Sequence, residues 1–260
     1  MSQLKEAILT TVAKGDKAFV PYIMAGDGGL DKVQPTILKL QELGVTAIEV
    51  GIPFTDPVAD GPTIELAGER ALAEGTTLRK VLETLTSFAD EISIPLVAMT
   101  YLNPILAYGI EEFARDAYAA GIRGVIIPDM PLEECEIVHP ALKETGIDLV
   151  QLVSLTSTPE RIERLTKMSE GFIYAVTVNG ITGARQSFAS ELDEHFKKLR
   201  NYNDTPILAG FGISTPEHVK NFAPVCDGVI VGSKIVDSLA KDDWATIEKL
   251  VKASKLAAVK

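Results

Sequence analysis

The sequence predicts a closed (β/α)8 TIM barrel, and three observations predict it. Eight short apolar runs alternate with amphipathic helical stretches along 260 residues. Most of these runs are apolar on both faces, as buried parallel strands are. The first run ends in Ala25-Gly26-Asp27-Gly28-Gly29, which lacks the Gly-x-Gly-x-x-Gly spacing that an open dinucleotide-binding sheet carries after its first strand. Eight strand–helix units in a chain of this length close on themselves more readily than they lie open.

The runs are Phe19 to Met24, Ala47 to Gly51, Pro95 to Met99, Gly124 to Ile127, Leu149 to Val153, Phe172 to Val176, Pro206 to Ala209 and Gly228 to Val231. Helical patterns between them include Leu30 to Leu43, Leu78 to Asp90, Ile110 to Ala120, Pro159 to Met168 and Thr215 to Phe222. Thr158-Pro159-Glu160 and Thr215-Pro216-Glu217 each set a hydroxyl cap before a proline at the first helical position. The first nineteen residues, with several charges and no long apolar stretch, read as an extra amphipathic helix rather than a signal peptide. The tail from Asp242 reads as a last outer helix. No Pro/Gly/Ser-rich linker interrupts the chain, so residues 1–260 are expected to form a single domain.

A formal charge of −11, without a basic stripe, argues against nucleic acid and anionic membrane as partners. No apolar run approaches the ~20 residues of a membrane span. Cys135 and Cys226 fit no metal or redox spacing, which leaves two reduced thiols and a cytoplasmic chain.

Barrel chemistry sits on the loops that follow the strands. After the second run come Ile52-Pro53-Phe54-Thr55-Asp56-Pro57-Val58-Ala59-Asp60-Gly61-Pro62. Glu49 is a lone carboxyl in an otherwise apolar strand. Burial without a partner raises such a group's pKa, and a neutral carboxyl at a barrel mouth suits general acid–base work. The competing reading is a strand-end glutamate bonded to backbone. Asp60 is either a second catalytic carboxylate or the cap of the helix that Pro62 starts. Asp56 reads as a turn former.

Three glycine-bearing loops follow the sixth, seventh and eighth strands. They are Asn179-Gly180-Ile181-Thr182-Gly183-Ala184-Arg185, Gly210-Phe211-Gly212-Ile213-Ser214 and Gly232-Ser233-Lys234-Ile235. Glycines let backbone N–H groups approach an anion, and a helix N-terminus favours its charge, so this end is expected to hold phosphate. No strand carries a lysine for Schiff-base chemistry, and His139, His195 and His218 lie apart in helical stretches. Zinc and nucleophile-elbow chemistry find no residues here. Carboxylate acid–base chemistry on a phosphorylated substrate remains.

The stretch from Ile48 to Pro62, followed by Met99-Thr100-Tyr101-Leu102-Asn103-Pro104, Pro128-Asp129-Met130-Pro131, Gly171-Phe172-Ile173-Tyr174, Thr182-Gly183, Gly210 to Ser214 and Gly232-Ser233, resembles the tryptophan synthase alpha chain family over nearly the whole chain. Thr177-Val178 and Asn179-Gly180-Ile181 differ from the loop sequences common in that family. The resemblance implies retro-aldol cleavage of indole-3-glycerol phosphate to indole and glyceraldehyde 3-phosphate, in tryptophan biosynthesis. It implies Glu49 and Asp60 as the catalytic pair, with Tyr174 supporting Glu49 or lining the pocket. Gly183, Gly212, Gly232 and Ser233 would hold the phosphate. Tyr22, Met99, Ile126 and Phe211 would form an apolar slot for the indole ring. Thr182 would meet Asp60 on loop closure. No metal or cofactor is expected on this chain. Pyridoxal phosphate is expected only on a partner beta subunit in an alpha2beta2 assembly, which would meet the loops Pro53 to Asp60, Asn103 to Tyr108 and Asp129 to Pro131. Three other readings share the barrel: a self-sufficient lyase that releases free indole, a non-catalytic barrel that binds and activates the beta subunit, and another phosphosugar barrel such as an isomerase or decarboxylase, although the Asp-x-Lys-x-x-Asp strand end of such decarboxylases is missing.

Overall fold

The computed structural model describes residues 1–154, 156–176, 194–210 and 212–256. Its strands are β1 (Ala18–Met24), β2 (Ile48–Gly51), β3 (Leu96–Met99), β4 (Ile122–Ile126), β5 (Asp148–Leu149), β6 (Gln151–Ser154), β7 (Ile173–Val176), β8 (Ile207–Gly210) and β9 (Gly228–Val231). All pair in parallel, in the order β5-β4-β3-β2-β1-β9-β8-β7-β6.

β5 and β6 together are the expected fifth run. The first half pairs with β4 and the second with β7, and Val150 alone separates them, its N–H donating to the Val125 carbonyl at 3.0 Å. The sheet order therefore begins and ends on one stretch of chain, and the barrel closes.

Alternation along each strand sorts the side chains between two cores. Phe19, Ile23, Ile48, Val50, Ala98 and Val125 face outward onto the helices. Ala18, Val20, Ala47, Val97, Ile126, Val150, Phe172, Tyr174, Leu208 and Ile230 fill the interior. The N-terminal helix Gln3–Ala13 plugs the barrel floor: Leu4 and Ile8, both 0% exposed, join the interior cluster. Gly124 and Gly171 make room for the plug, since a Cβ on either would fall 2.6 or 2.7 Å from Leu4 Cδ2. Ser2 caps that helix by accepting from the Lys5 N–H, and its hydroxyl donates to the Asp148 carboxylate.

Helix starts follow the capping chemistry. Thr77, Thr158 and Thr215 accept from the N–H groups of Lys80, Arg161 and His218. The expected helix from Leu30 opens instead as a 3-10 turn, Leu30–Lys32, before Val33–Glu42, because Gly29 at φ 106 enters it with no side-chain cap. The tail forms the helix Trp244–Ser254, capped by Asp243. Both cysteines are free and buried. His195, helical as expected, is buried, and burial holds its pKa down.

Candidate active site

Tyr22 and Glu49 are register partners across β1 and β2, and both lie on the inward parity of their strands. Around them, at the C-terminal end of the strands, is a cavity of about 260 Å³. Its wall includes Tyr22, Glu49, Asp60, Met99, Tyr174, Gly212, Gly232 and Ser233. These residues come from six different strands or the segments that follow them, and the barrel brings them to one end.

Glu49 is 1% exposed, and its Oε2 has no hydrogen-bond partner among the described residues. That arrangement is not the backbone-bonded strand end that sequence alone left open. Burial, with the neighbouring Asp60 charge adding to it, pushes the Glu49 carboxyl up to about 8. At neutral pH it holds its proton.

Asp60 sits less deeply. Helix Pro62–Ala73 is N-capped by Gly61 without any side-chain cap, so Asp60 is not spent on capping. Its loop folds on itself through the Val58 N–H to Asp56 carbonyl bond at 2.9 Å and the Asp60 N–H to Pro57 carbonyl bond at 3.1 Å. Burial raises the Asp60 carboxyl to about 6, against a hydrogen bond from the Tyr101 phenol that lowers it, while Glu65 adds to the rise. One carboxyl is neutral and its neighbour charged between these two values. A pair of titratable groups pushed apart in this way is the pattern of an acid working beside an anion.

Tyr101 organises this rim and was not singled out by the sequence reading. It is 3% exposed and its ring stacks on Phe54 at 5.2 Å. Its hydroxyl accepts the Ala59 N–H at 3.1 Å as well as serving Asp60. The available signal was its place, two residues past the end of a barrel strand.

Tyr22 and Tyr174 are both buried on the inner wall, and burial raises both phenols well above their ordinary value. Each ring needs a glycine beside it. A Cβ on Gly51 would fall 1.9 Å from the Tyr22 oxygen, and one on Gly210 would fall 2.2 Å from the Tyr174 ring. Met99 lines the cavity as expected. Ile126 is not part of its wall; fully buried, it packs in the barrel interior with Val97 and Phe172.

At the opposite side, Gly212 has φ +76, and a Cβ there would meet nothing within 4 Å, so its backbone borders open space. Gly232 precedes the helix Ser233–Ala240, whose first-turn N–H groups face this end. Lys234, in the first turn of that helix, also borders the cavity. Thr182, Gly183 and Phe211 lie outside the described residues.

A larger hollow of about 720 Å³ lies elsewhere, bordered by Gly26–Gly29, Arg70 and Trp244. There the Arg70 guanidinium grips the Asp27 carboxylate through two 2.7 Å bonds. Size does not decide the site; the two shifted carboxyls do. Among the described residues no group of three or more His, Cys, Asp or Glu is placed to hold a metal ion, and no helix is long and apolar enough to cross a membrane.

Known proteins resemble this chain over nearly its full length. Residues 9–259 match the family model described as tryptophan synthase alpha chain. The chain belongs to the tryptophan synthase alpha chain family. It is 48% identical over 250 residues to a tryptophan synthase alpha chain of Bacillus cereus (strain ATCC 10987 / NRS 248), covering 96% of this chain and 97% of that one. Against the alpha chain of Bacillus cereus (strain G9842) the identity is 49% over the same length. The fold superposes on a chain of the Mycobacterium tuberculosis tryptophan synthase in its aminoacrylate-bound form with TM-score 0.88 and 31% identity, covering 98% of this chain and 100% of that one. With tryptophan synthase subunit alpha from Campylobacter jejuni the TM-score is 0.84 and the identity 33%, over 92% and 96% of the two chains. Like other members of the tryptophan synthase alpha family in these comparisons, the chain is thus a parallel barrel with its helices outside.

Proposed function

We propose that this chain is the alpha subunit of a tryptophan synthase and cleaves indole-3-glycerol phosphate by a retro-aldol reaction, giving indole and glyceraldehyde 3-phosphate. The observation that carries the reading is the split between its two cavity carboxyls, Glu49 near 8 and Asp60 near 6.

Protonation of the indole ring at C3 makes the ring an electron sink. Glu49, neutral in its dry strand, donates that proton. Positive charge then grows at the ring nitrogen, and Asp60, ionised, accepts its N–H and stabilises that charge. The C–C bond to the glycerol carbon breaks as the hydroxyl on that carbon loses its proton. The Glu49 carboxylate takes this proton and returns to its starting state, so the cycle balances without an oxidant or reductant. Tyr22, Met99 and Tyr174 wall the ring. Gly183, Gly212, Gly232 and Ser233 hold the phosphate through backbone N–H groups and a helix start. In this reading Thr182 meets Asp60 once substrate is bound.

The partner in this reading is a beta subunit, which carries the pyridoxal phosphate and uses the indole. Two segments expected to meet it display apolar side chains to solvent: Val58, on the loop after β2, is 82% exposed and Leu106, which the structure places on the helix Leu102–Tyr108 rather than a loop, 47%. Such rim-ringed apolar groups suit an interface. The cytoplasmic assignment and the alpha2beta2 stoichiometry belong to the same reading.

The test is product analysis with purified chain and indole-3-glycerol phosphate, alone and with a beta chain added. Slow release of equimolar indole and glyceraldehyde 3-phosphate that rises strongly with the partner supports the reading. Fast release by the chain alone favours the self-sufficient lyase, and no release in either case leaves a binding barrel or a different phosphosugar substrate.

A further inference from the structure

The reaction above uses Tyr22 only as a wall, although a polar atom sits at the end of its ring. The side chain is 4% exposed, and its oxygen is fixed in place on a barrel strand by the close approach to Gly51. Its contact is Met24 Sδ at 4.0 Å. A thioether is a weak acceptor, and buried tyrosine hydroxyls ordinarily find a better one.

The groups that face the phenol come from every side of the cavity. They are Glu49 on β2, Asp60 on the loop after it, Tyr101 after β3 and Tyr174 on β7. Asp60 is the charged group that acts on it most strongly, ahead of Glu49. Glu65 and the Tyr101 phenol act on Asp60 from the helix and the rim, and Lys234 lines the far wall. Tyr22 and Asp60 thus share one cavity, the first on a rigid strand and the second on a proline-bounded loop tied to Tyr101.

We propose, on the basis of the indole-releasing reading, that Tyr22 is a positioning residue for Asp60: with substrate in the cavity, the Asp60 carboxylate is held between two phenol donors, Tyr101 and Tyr22. A carboxylate has about four lone-pair sites, so two phenols leave room for the ring N–H. Substrate displaces the water that would otherwise solvate Asp60. A second phenol replaces that solvation and keeps the group ionised where the reaction needs an anion. Phenylalanine would serve the wall equally well but not this task.

The test is Tyr22→Phe, which keeps the ring on Gly51 and removes the donor. The account predicts that the acid limb of kcat against pH moves up by about one unit, so that turnover at pH 6 falls roughly fivefold while turnover at pH 8 is almost unchanged. Replacing the same side chain by 3-fluorotyrosine, a more acidic donor, moves the limb the other way. Independently of turnover, carboxyl-carbon NMR titration of Asp60 is run with the chain saturated by a non-cleavable indolylalkyl phosphate. A raised Asp60 titration in Tyr22→Phe supports the inference. Identical Asp60 titrations in wild type and variant overturn it. If the wild type releases no indole while the Asp60 titration still moves, the proposed reaction fails and the positioning role stands.

Discussion

Glu49 stands opposite Tyr22 in the pairing of β1 with β2, and both side chains lie on the inner faces of their strands. The buried phenol and the floor of apolar residues below deny Glu49 water, and no donor reaches its Oε2 among the described residues. Its proton is therefore held by desolvation rather than by a hydrogen bond. Most of what can be tested in this protein follows from that.

Glu49 is more favourable to folding neutral than charged. Its folded pKa of about 8 lies above the ordinary 4.5, so its contribution to stability is fully present below 4.5 and is lost as pH rises through 8. Glu49→Gln, which cannot ionise, is expected to be more stable than wild type by about 3 kcal/mol at pH 7. Urea unfolding of both proteins at pH 5 and pH 8 checks this; the difference should be larger at pH 8.

Turnover is expected to follow a bell with limbs near pH 6 and pH 8 in kcat/KM. The rising limb is the ionisation of Asp60 and the falling limb that of Glu49. A profile flat between pH 5 and pH 9 would refute the division of labour between the two carboxyls.

Tyr101→Phe removes the hydrogen bond that lowers the Asp60 pKa and the acceptor of the Ala59 N–H. The acid limb should rise, and activity at pH 6.5 should fall by about tenfold or more, near the ~1.5–3 kcal/mol of a hydrogen bond to a charge. Steady-state kinetics across pH measure both effects.

Gly51→Ala would place a methyl on the Tyr22 oxygen. The strand cannot yield, so the ring must. The expected cost is about 1–3 kcal/mol of overpacking, with greater loss of activity than of stability. Thermal unfolding beside kinetics separates the two.

Leu106→Glu puts charge on an apolar group open to solvent. It should leave the basal reaction and the fold unchanged and weaken activation by a beta chain by at least about tenfold, or ~1.4 kcal/mol. Titration of indole release with beta chain reads the change directly.

The strands were legible because barrel strands are buried on both faces, so most appear as short, largely apolar runs. The pause at Val150 was not, since it reflects a change of pairing partner from β4 to β7 rather than any residue type. Glu49 stood out as one charge in an apolar strand. Tyr101 did not, because its role depends on reaching Ala59 and Asp60, more than forty positions away in the chain. Ile126 shows the limit from the other side: it is inward, as expected, but depth along the barrel axis places it in the core rather than the cavity wall. Periodicity carries the face of a strand and says little of depth.

The most direct measurement is indole release from indole-3-glycerol phosphate by wild type and Glu49→Gln, each saturated with a beta chain at pH 7. The account predicts release by wild type, and a loss of at least about a thousandfold in a variant that still folds and still binds the partner. Comparable release by both proteins would contradict it, because Glu49 would then be a structural residue and not the proton donor.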